Sequence, residues 1–155
     1  MLNRVLSLIV ISSFMLVGCG KKDGDSSLLS SSHAKPGTQE DLAQNVGDRV
    51  FFDLNSSEIR EDGQSTLQQQ ASWLAKYPNI TIQVEGHCDE RGTREFNLAL
   101  GDRRATKVKE YLVTLGVQPS RIQTISYGKE RIAVVGENEE AHAQNRRGVS
   151  VVTKN

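Results

Sequence analysis

Neither sign of charge is in excess in this sequence. Its 19 Lys and Arg are matched by 19 Asp and Glu, so no basic surface of the kind that binds nucleic acid is expected, and recognition must be local. Cysteine is scarce, with 2 in 155 residues, which excludes a disulfide framework and leaves stability to the core. No apolar run reaches the roughly 20 residues that a comfortable transmembrane helix needs. The run from Val5 to Val17 is shorter and is broken by Ser7, Ser12 and Ser13. A chain of 155 residues has room for one domain of ordinary size and not for a second. Histidine is also sparse: His33, His87 and His142 have no recognisable ligand spacing, so no metal and no cofactor is expected.

What is present begins at the amino terminus. Met1 to Arg4 supplies a small positive region ahead of the apolar run, which has the length of a signal peptide. The run ends in Leu16-Val17-Gly18-Cys19, with small Gly18 directly before the cysteine and aliphatic Leu16 at the third position before it. These four residues resemble a bacterial lipobox, whose cysteine thiol is diacylated before the chain is cleaved in front of it. The resemblance implies a signal peptide over residues 1–18 and a lipid anchor on Cys19. Gly20 rather than an aspartate follows, which favours the outer membrane of a Gram-negative cell. Each buried methylene of an acyl chain contributes about 0.8 kcal/mol, and more than one chain makes anchoring stable. With Cys19 so modified, Cys88 has no partner for an internal disulfide.

From Gly20 to about Glu40 the chain is rich in Gly, Ser, Lys and Asp, with Leu28 and Leu29 its only large apolar residues. This composition reads as a flexible tether over residues 19–45, with a globular domain over residues 46–155. Arg49 to Asp53 is a β-branched and aromatic run, read as a strand that stops at Asn55-Ser56-Ser57. Leu67, Ala71 and Leu74 then fall at helical spacing, predicting an amphipathic helix from about Glu61 to Tyr77 that Pro78 closes. Ile80, Ile82 and Val84 alternate with polar residues, the period of a half-buried strand. After a polar loop Thr93 is a plausible N-cap for a helix whose apolar stripe is Leu98, Ala105, Val108, Leu112 and Leu115, with Gly116 as its stop. Arg121 to Ser126 reads as a third strand, Glu139 to Asn145 as a short helix and Val149 to Thr153 as a closing strand. The order β-α-β-α-β-α-β points to an α/β sandwich with helices packed on a small sheet.

Glu85 to Ala105, EGHCDERGTREFNLALGDRRA, is the most specific internal stretch. It resembles the signature of OmpA-like peptidoglycan-binding domains, in which a strand ends in Gly-His-x-Asp-x-x-Gly and a helix follows with Asn-x-x-Leu-x-x-x-Arg-Ala. Val50-Phe51-Phe52-Asp53, Tyr127-Gly128-Lys129-Glu130-Arg131 and Asn145-Arg146-Arg147 resemble other parts of the same family pattern. The resemblance implies an OmpA-like fold with a four-stranded mixed sheet. It also implies a cleft for the peptide stem of peptidoglycan, with Asp89 and Arg104 as the central pair, Asp53 and Phe52 on the neighbouring wall, and Thr93 and Asn97 at the loop. Combined with the lipobox, it implies a lipid-anchored protein that ties the outer membrane to the wall. TolB and the other Tol-Pal components are then its partners, in envelope integrity and cell division.

The chemistry suits that ligand. The stem of Gram-negative peptidoglycan carries meso-diaminopimelate, whose free end holds both an amine and a carboxylate. A carboxylate such as Asp89 can accept from the ammonium, and an arginine such as Arg104 can meet the carboxylate with two parallel N–H groups. Backbone N–H groups opening the helix after Thr93 add donors. Asn97 reads mainly as a residue that fixes the loop, and Arg146 and Arg147 as anchors of the last strand or rim of the site. His87 reads as a framework residue and Cys88 as a small hydrophobe. Ile132 and His142 depart from the family pattern, where proline and an aromatic are expected, and both fall in the last connection. The competing class is an enzyme, a wall hydrolase with Asp89 and Glu90 or Glu85 as paired carboxylates about 5 to 9 Å apart. Neither that spacing nor a Ser-His-Asp or Cys-His context is evident in the sequence, so the chain is read as a binding module and not as an enzyme.

Overall fold

A computed structural model describes residues 34–154. The expected signal peptide, the expected lipid site at Cys19 and most of the expected tether lie outside the described residues. Four helices and four strands follow in the order α1 (Gln39–Asp41), β1 (Arg49–Phe51), α2 (Glu61–Lys76), β2 (Thr81–His87), α3 (Arg94–Thr114), β3 (Ile122–Gly128), α4 (Glu139–Asn145) and β4 (Arg147–Lys154). A π-helical turn over Leu42–Val46 extends α1, and a 3-10 turn over Pro119–Arg121 precedes β3.

The strands form one mixed sheet in the order β1-β4-β2-β3. β4 is antiparallel to both β1 and β2, whereas β2 and β3 are parallel. Parallel neighbours need a crossover, and α3 supplies it. Alternation along the strands sends Val50 and Phe52 of the first strand region, and Ile82 and Val84 of β2, into a core with Leu67, Ala71 and Leu74 of α2 and Ala105, Val108 and Leu112 of α3. Fully burying an aliphatic side chain of this size contributes about 1.5–3 kcal/mol. The α3 stripe differs from the one read from hydrophobicity. Leu98 is 48% exposed and Leu115 38% exposed, while Leu100, Gly101 and Arg104 face inward beside Ala105. The helix comes too close to the sheet for large side chains: a Cβ on Gly86 would lie 1.8 Å from the Gly101 carbonyl oxygen. Backbone packs on backbone there, and two glycines are the residues that permit it.

The folded unit also begins earlier than the composition suggests. Asp41 is the anchor: its carboxylate accepts from Trp73 Nε1 at 2.9 Å, from the Gly37 N–H at 2.8 Å and from Asn45 Nδ2 at 2.8 Å. Leu42 enters the core at 1% exposure. Gln39 Oε1 accepts from the Val152 N–H at 2.7 Å, and Gln70 joins the Gly47 carbonyl to the Ser150 hydroxyl. Residues from Gly37 to Val46 are therefore part of the domain and not of a tether, because polar side chains stitch them to α2 and β4.

Candidate functional site

Three connections meet at one end of the sheet. They are the loop after β1, the loop from the end of β2 into α3, and the turn from α4 into β4. The chain leaving β2 stays registered with β3, since the Cys88 N–H donates to the Gly128 carbonyl at 2.7 Å. Cys88 is buried, and burial pushes its thiol up. Its Sγ–H is directed at the Asn97 carbonyl, 3.3 Å away. Asn97 in turn donates from Nδ2 to the carbonyls of Arg91 and Thr93 at 2.8 and 2.9 Å, so it holds the loop. Thr93 caps α3, its Oγ1 accepting from the Phe96 N–H at 3.2 Å. Gly92 turns the chain between them with φ +89°, a conformation that favours glycine.

Arg104, nearly three turns into α3, is 0% exposed. Its Nε donates to the Ser56 carbonyl at 2.9 Å, Nη1 to the His87 carbonyl at 2.8 Å and Nη2 to the Asp53 carbonyl at 3.1 Å. The guanidinium lies over the Phe52 ring, 5.1 Å from its centroid. Arg104 therefore clamps the loop after β1 to the end of β2. Burial lowers its pKa from the usual arginine value and repulsion from Arg146 adds to this, against attraction from Asp89. A guanidinium has five N–H groups, so the three carbonyl bonds leave two for another acceptor.

Asp89, 4% exposed, lines the same narrow crevice as Arg104, together with Leu54, Asn55, Asn97 and Arg146. Its Oδ1 accepts from the Arg91 backbone N–H at 3.2 Å. Its Oδ2 accepts from Arg91 Nη2 at 2.5 Å and from Arg146 Nη1 at 3.2 Å. Glu139, at the start of α4, closes the figure, with Arg146 Nη2 at 2.7 Å and Arg91 Nη1 at 3.4 Å. Asp89, Arg91, Glu139 and Arg146 thus form a ring of alternating charge. Burial pushes the Asp89 carboxyl up, but the hydrogen bonds from Arg91 and Arg146 outweigh it and hold it below the usual carboxylate range. The hydrogen bond from Arg146 likewise lowers Glu139. With Arg104 included, three guanidiniums face two carboxylates, leaving one positive charge for an anion. A wider cavity of about 340 Å³ opens beside the crevice, walled by Leu54, Asn55, Asp89, Arg91, Gly92 and Phe96.

The structure brings Asp89, Arg104, Asn97 and Thr93 to this end of the sheet. Phe52 is not on an open wall: alternation turns it into the core, and it serves the site through its ring beneath Arg104 and its carbonyl, which accepts from Arg146 Nε at 3.1 Å. The Asp53 carboxylate points to solvent near Arg60, at 3.7 Å, and only its carbonyl touches Arg104. Arg91 and Glu139 are site residues that the sequence reading did not single out. So is Lys129, whose Nζ donates to the Gly92 and Glu90 carbonyls. No local pattern marks them, since their partners come from other connections. His87 is buried with its Nε2 3.3 Å from Glu85 on the sheet face away from the helices.

The OmpA family model matches residues 51–146, a span that contains every element of the site. A peptidoglycan-associated lipoprotein of Rhizobium meliloti is 50% identical, over 97% of this chain and 88% of that protein. Another from Pseudomonas aeruginosa is 37% identical, over 90% of each chain. Among solved structures, the crystal structure of the peptidoglycan-associated lipoprotein from Burkholderia pseudomallei superposes with a TM-score of 0.66 at 40% identity, covering 68% of this chain and 90% of that one. The C-terminal domain of Helicobacter pylori MotB shares the fold, with a TM-score of 0.64 at 24% identity over 70% of this chain and 85% of that one. By sequence and by fold, this chain belongs to the OmpA family, among its peptidoglycan-associated lipoproteins.

Proposed function

We propose that the chain binds peptidoglycan non-covalently through the crevice that holds Asp89 and Arg104, and that lipid on Cys19 fixes its other end in the outer membrane, so that membrane and wall are coupled. The observation that carries this reading is the pairing itself: the Asp89 carboxylate and the guanidiniums of Arg104 and Arg146 line a single crevice, whose summed charge is therefore positive by one. Free meso-diaminopimelate side chains in the stem peptide present the complementary pair. Their ammonium is matched to Asp89, and their carboxylate to the two N–H groups of Arg104 that carbonyls leave free. Leu54 and Phe96, both partly exposed, offer apolar walls to the methylene chain between them.

A catalytic role finds less support. Asp89 is occupied by two arginines, and Glu85 sits on the other face of the sheet against His87, so these two carboxylates do not flank a common space. The relatives named above carry the name of a wall-associated lipoprotein rather than of an enzyme. Family likeness further supports the periplasm as the domain's location, TolB and the other Tol-Pal components as partners, and a part in constriction at division. A pull-down from envelopes tests those partners.

Co-sedimentation with purified sacculi tests the site. Asp89→Asn removes the charge with little change of shape and is expected to lower wall binding at least about tenfold, the cost of leaving a ligand ammonium unmatched. Free meso-diaminopimelate, but not lysine, is expected to compete. Sedimentation of Asp89→Asn at the wild-type level would sink the assignment, and release of soluble muropeptides would replace binding by hydrolysis.

A further inference from the structure

We infer that Arg91 is a displaceable internal occupant of Asp89, and that it makes the cleft selective for a ligand that brings a carboxylate together with its amine. The inference rests on the reading of Asp89 as the ammonium site. Both oxygens of Asp89 are already engaged, one by the Arg91 backbone and the other by the guanidiniums of Arg91 and Arg146. The two arginines are not equivalent. Arg146 has a side chain 7% exposed and is held by a third bond, from Nε to the Phe52 carbonyl. Arg91 has a side chain 40% exposed, and among the described residues its side chain reaches, apart from Asp89, only Glu139, at 3.4 Å. Arg91 is therefore the partner that can leave. It also lines the cavity beside the crevice, on the path by which a ligand in that cavity reaches Asp89.

The exchange has an electrostatic condition. A lone ammonium that takes Asp89 turns the Arg91 guanidinium out with only Glu139 to receive it, and Glu139 is already bonded to Arg146 at 2.7 Å. A ligand whose amine stands beside its own carboxylate supplies the missing anion: the carboxylate that meets Arg104 also offers an oxygen to the released guanidinium. The charges of Asp89 and Arg91 are then paired before and after binding. Selectivity arises by making the wrong ligand leave an unpaired charge rather than by a closer fit to the right one. The Arg91 pairs are partly exposed, and such pairs contribute little to stability, so removing the side chain leaves the fold in place.

The test is calorimetric titration of the purified full chain in detergent with two synthetic stem peptides, one carrying meso-diaminopimelate and one carrying lysine at the same position. Wild type is expected to prefer the first. In Arg91→Ala the lysine peptide is expected to bind about tenfold more tightly than it does to wild type, while Arg91→Lys, which restores a cation, returns it toward the wild-type value. No gain in lysine-peptide affinity in Arg91→Ala would overturn the inference. Asp89→Asn separates the two claims. Undiminished binding of the diaminopimelate peptide there overturns the site reading and this inference with it. Loss of binding there, with no lysine gain in Arg91→Ala, overturns the inference alone.

Discussion

Arg104 and His87 are both buried at the end of β2, and opposite physics keeps them there. A guanidinium tolerates complete burial because three backbone carbonyls and an aromatic face replace its water. An imidazole has a cheaper course, which is to give up its proton. Burial lowers the pKa of His87 to about 4, and repulsion from Arg147 and Arg131 adds to it. An unfolded histidine takes its proton near pH 6.5. Between the two values the unfolded chain binds more protons than the folded one. Stability from this group is thus complete above about pH 6.5 and declines as pH falls through 4, by roughly 3 kcal/mol in all. Asp89 works in a lower window. Its folded carboxyl is held below the ordinary range, so its contribution is present above about pH 3.9 and is lost only as pH falls through the folded value. His87→Gln is expected to flatten the dependence of the urea midpoint between pH 4 and 6.5 while leaving the steeper loss below it. An unaltered slope in that variant would show that another group titrates there.

At the scale of elements, the two places where hydrophobic patterning misleads make a paired prediction. Leu42 sits in a polar stretch yet is 1% exposed, whereas Leu98 sits in an apparent apolar stripe yet is 48% exposed. Leu42→Ala is expected to cost about 2–4 kcal/mol, the range for an emptied core site. Leu98→Ala is expected to stay within about 0.5 kcal/mol. Equal losses by chemical denaturation would mean that Gly37 to Val46 is not part of the cooperative unit. The elements legible in the sequence are those whose period is carried by aliphatic side chains: Leu67, Ala71 and Leu74 in α2, and Ile82 and Val84 in β2. α1 was illegible because what holds it is polar and distant, with Asp41 bonded to Trp73 and Gln39 to Val152, 32 and 113 residues away. The phase of α3 was obscured because its closest approach to the sheet is made by Gly101, and an arginine, not a leucine, fills the next inward position. In the site, Asp89 and Arg104 are visible through the family pattern around them. The ring that surrounds Asp89 is not, since Arg146 lies 57 residues from it and Arg91 reaches 48 residues to Glu139.

For the whole molecule, the early start of the domain sets the reach of the proposed coupling. Counting the tether to residue 45 would allow 26 residues beyond Cys19, or about 90 Å at roughly 3.5 Å each. The described fold already includes Gly37, bonded to Asp41. Only 14 residues, 20–33, lie between Cys19 and Ala34, and however they are arranged the two ends stand at most about 50 Å apart. The distance from the proposed membrane anchor to the folded domain is then bounded by a short segment, and both of its ends matter. Cys19→Ala, with residues 1–18 replaced by a secretory signal that is cleaved without prior acylation, is expected to move the protein from the membrane fraction to the soluble periplasmic fraction. It should still sediment with sacculi, because the crevice at Asp89 does not depend on the anchor. Deleting residues 21–30 leaves both attachments intact but cuts the limit to about 18 Å. This variant should fractionate with the membrane, bind isolated sacculi in detergent, and yet fail to suppress envelope leakage in cells lacking the wild-type chain. Full suppression by the shortened chain would show that coupling does not require this span, and membrane fractionation of Cys19→Ala with the exchanged leader would show that the anchor lies elsewhere.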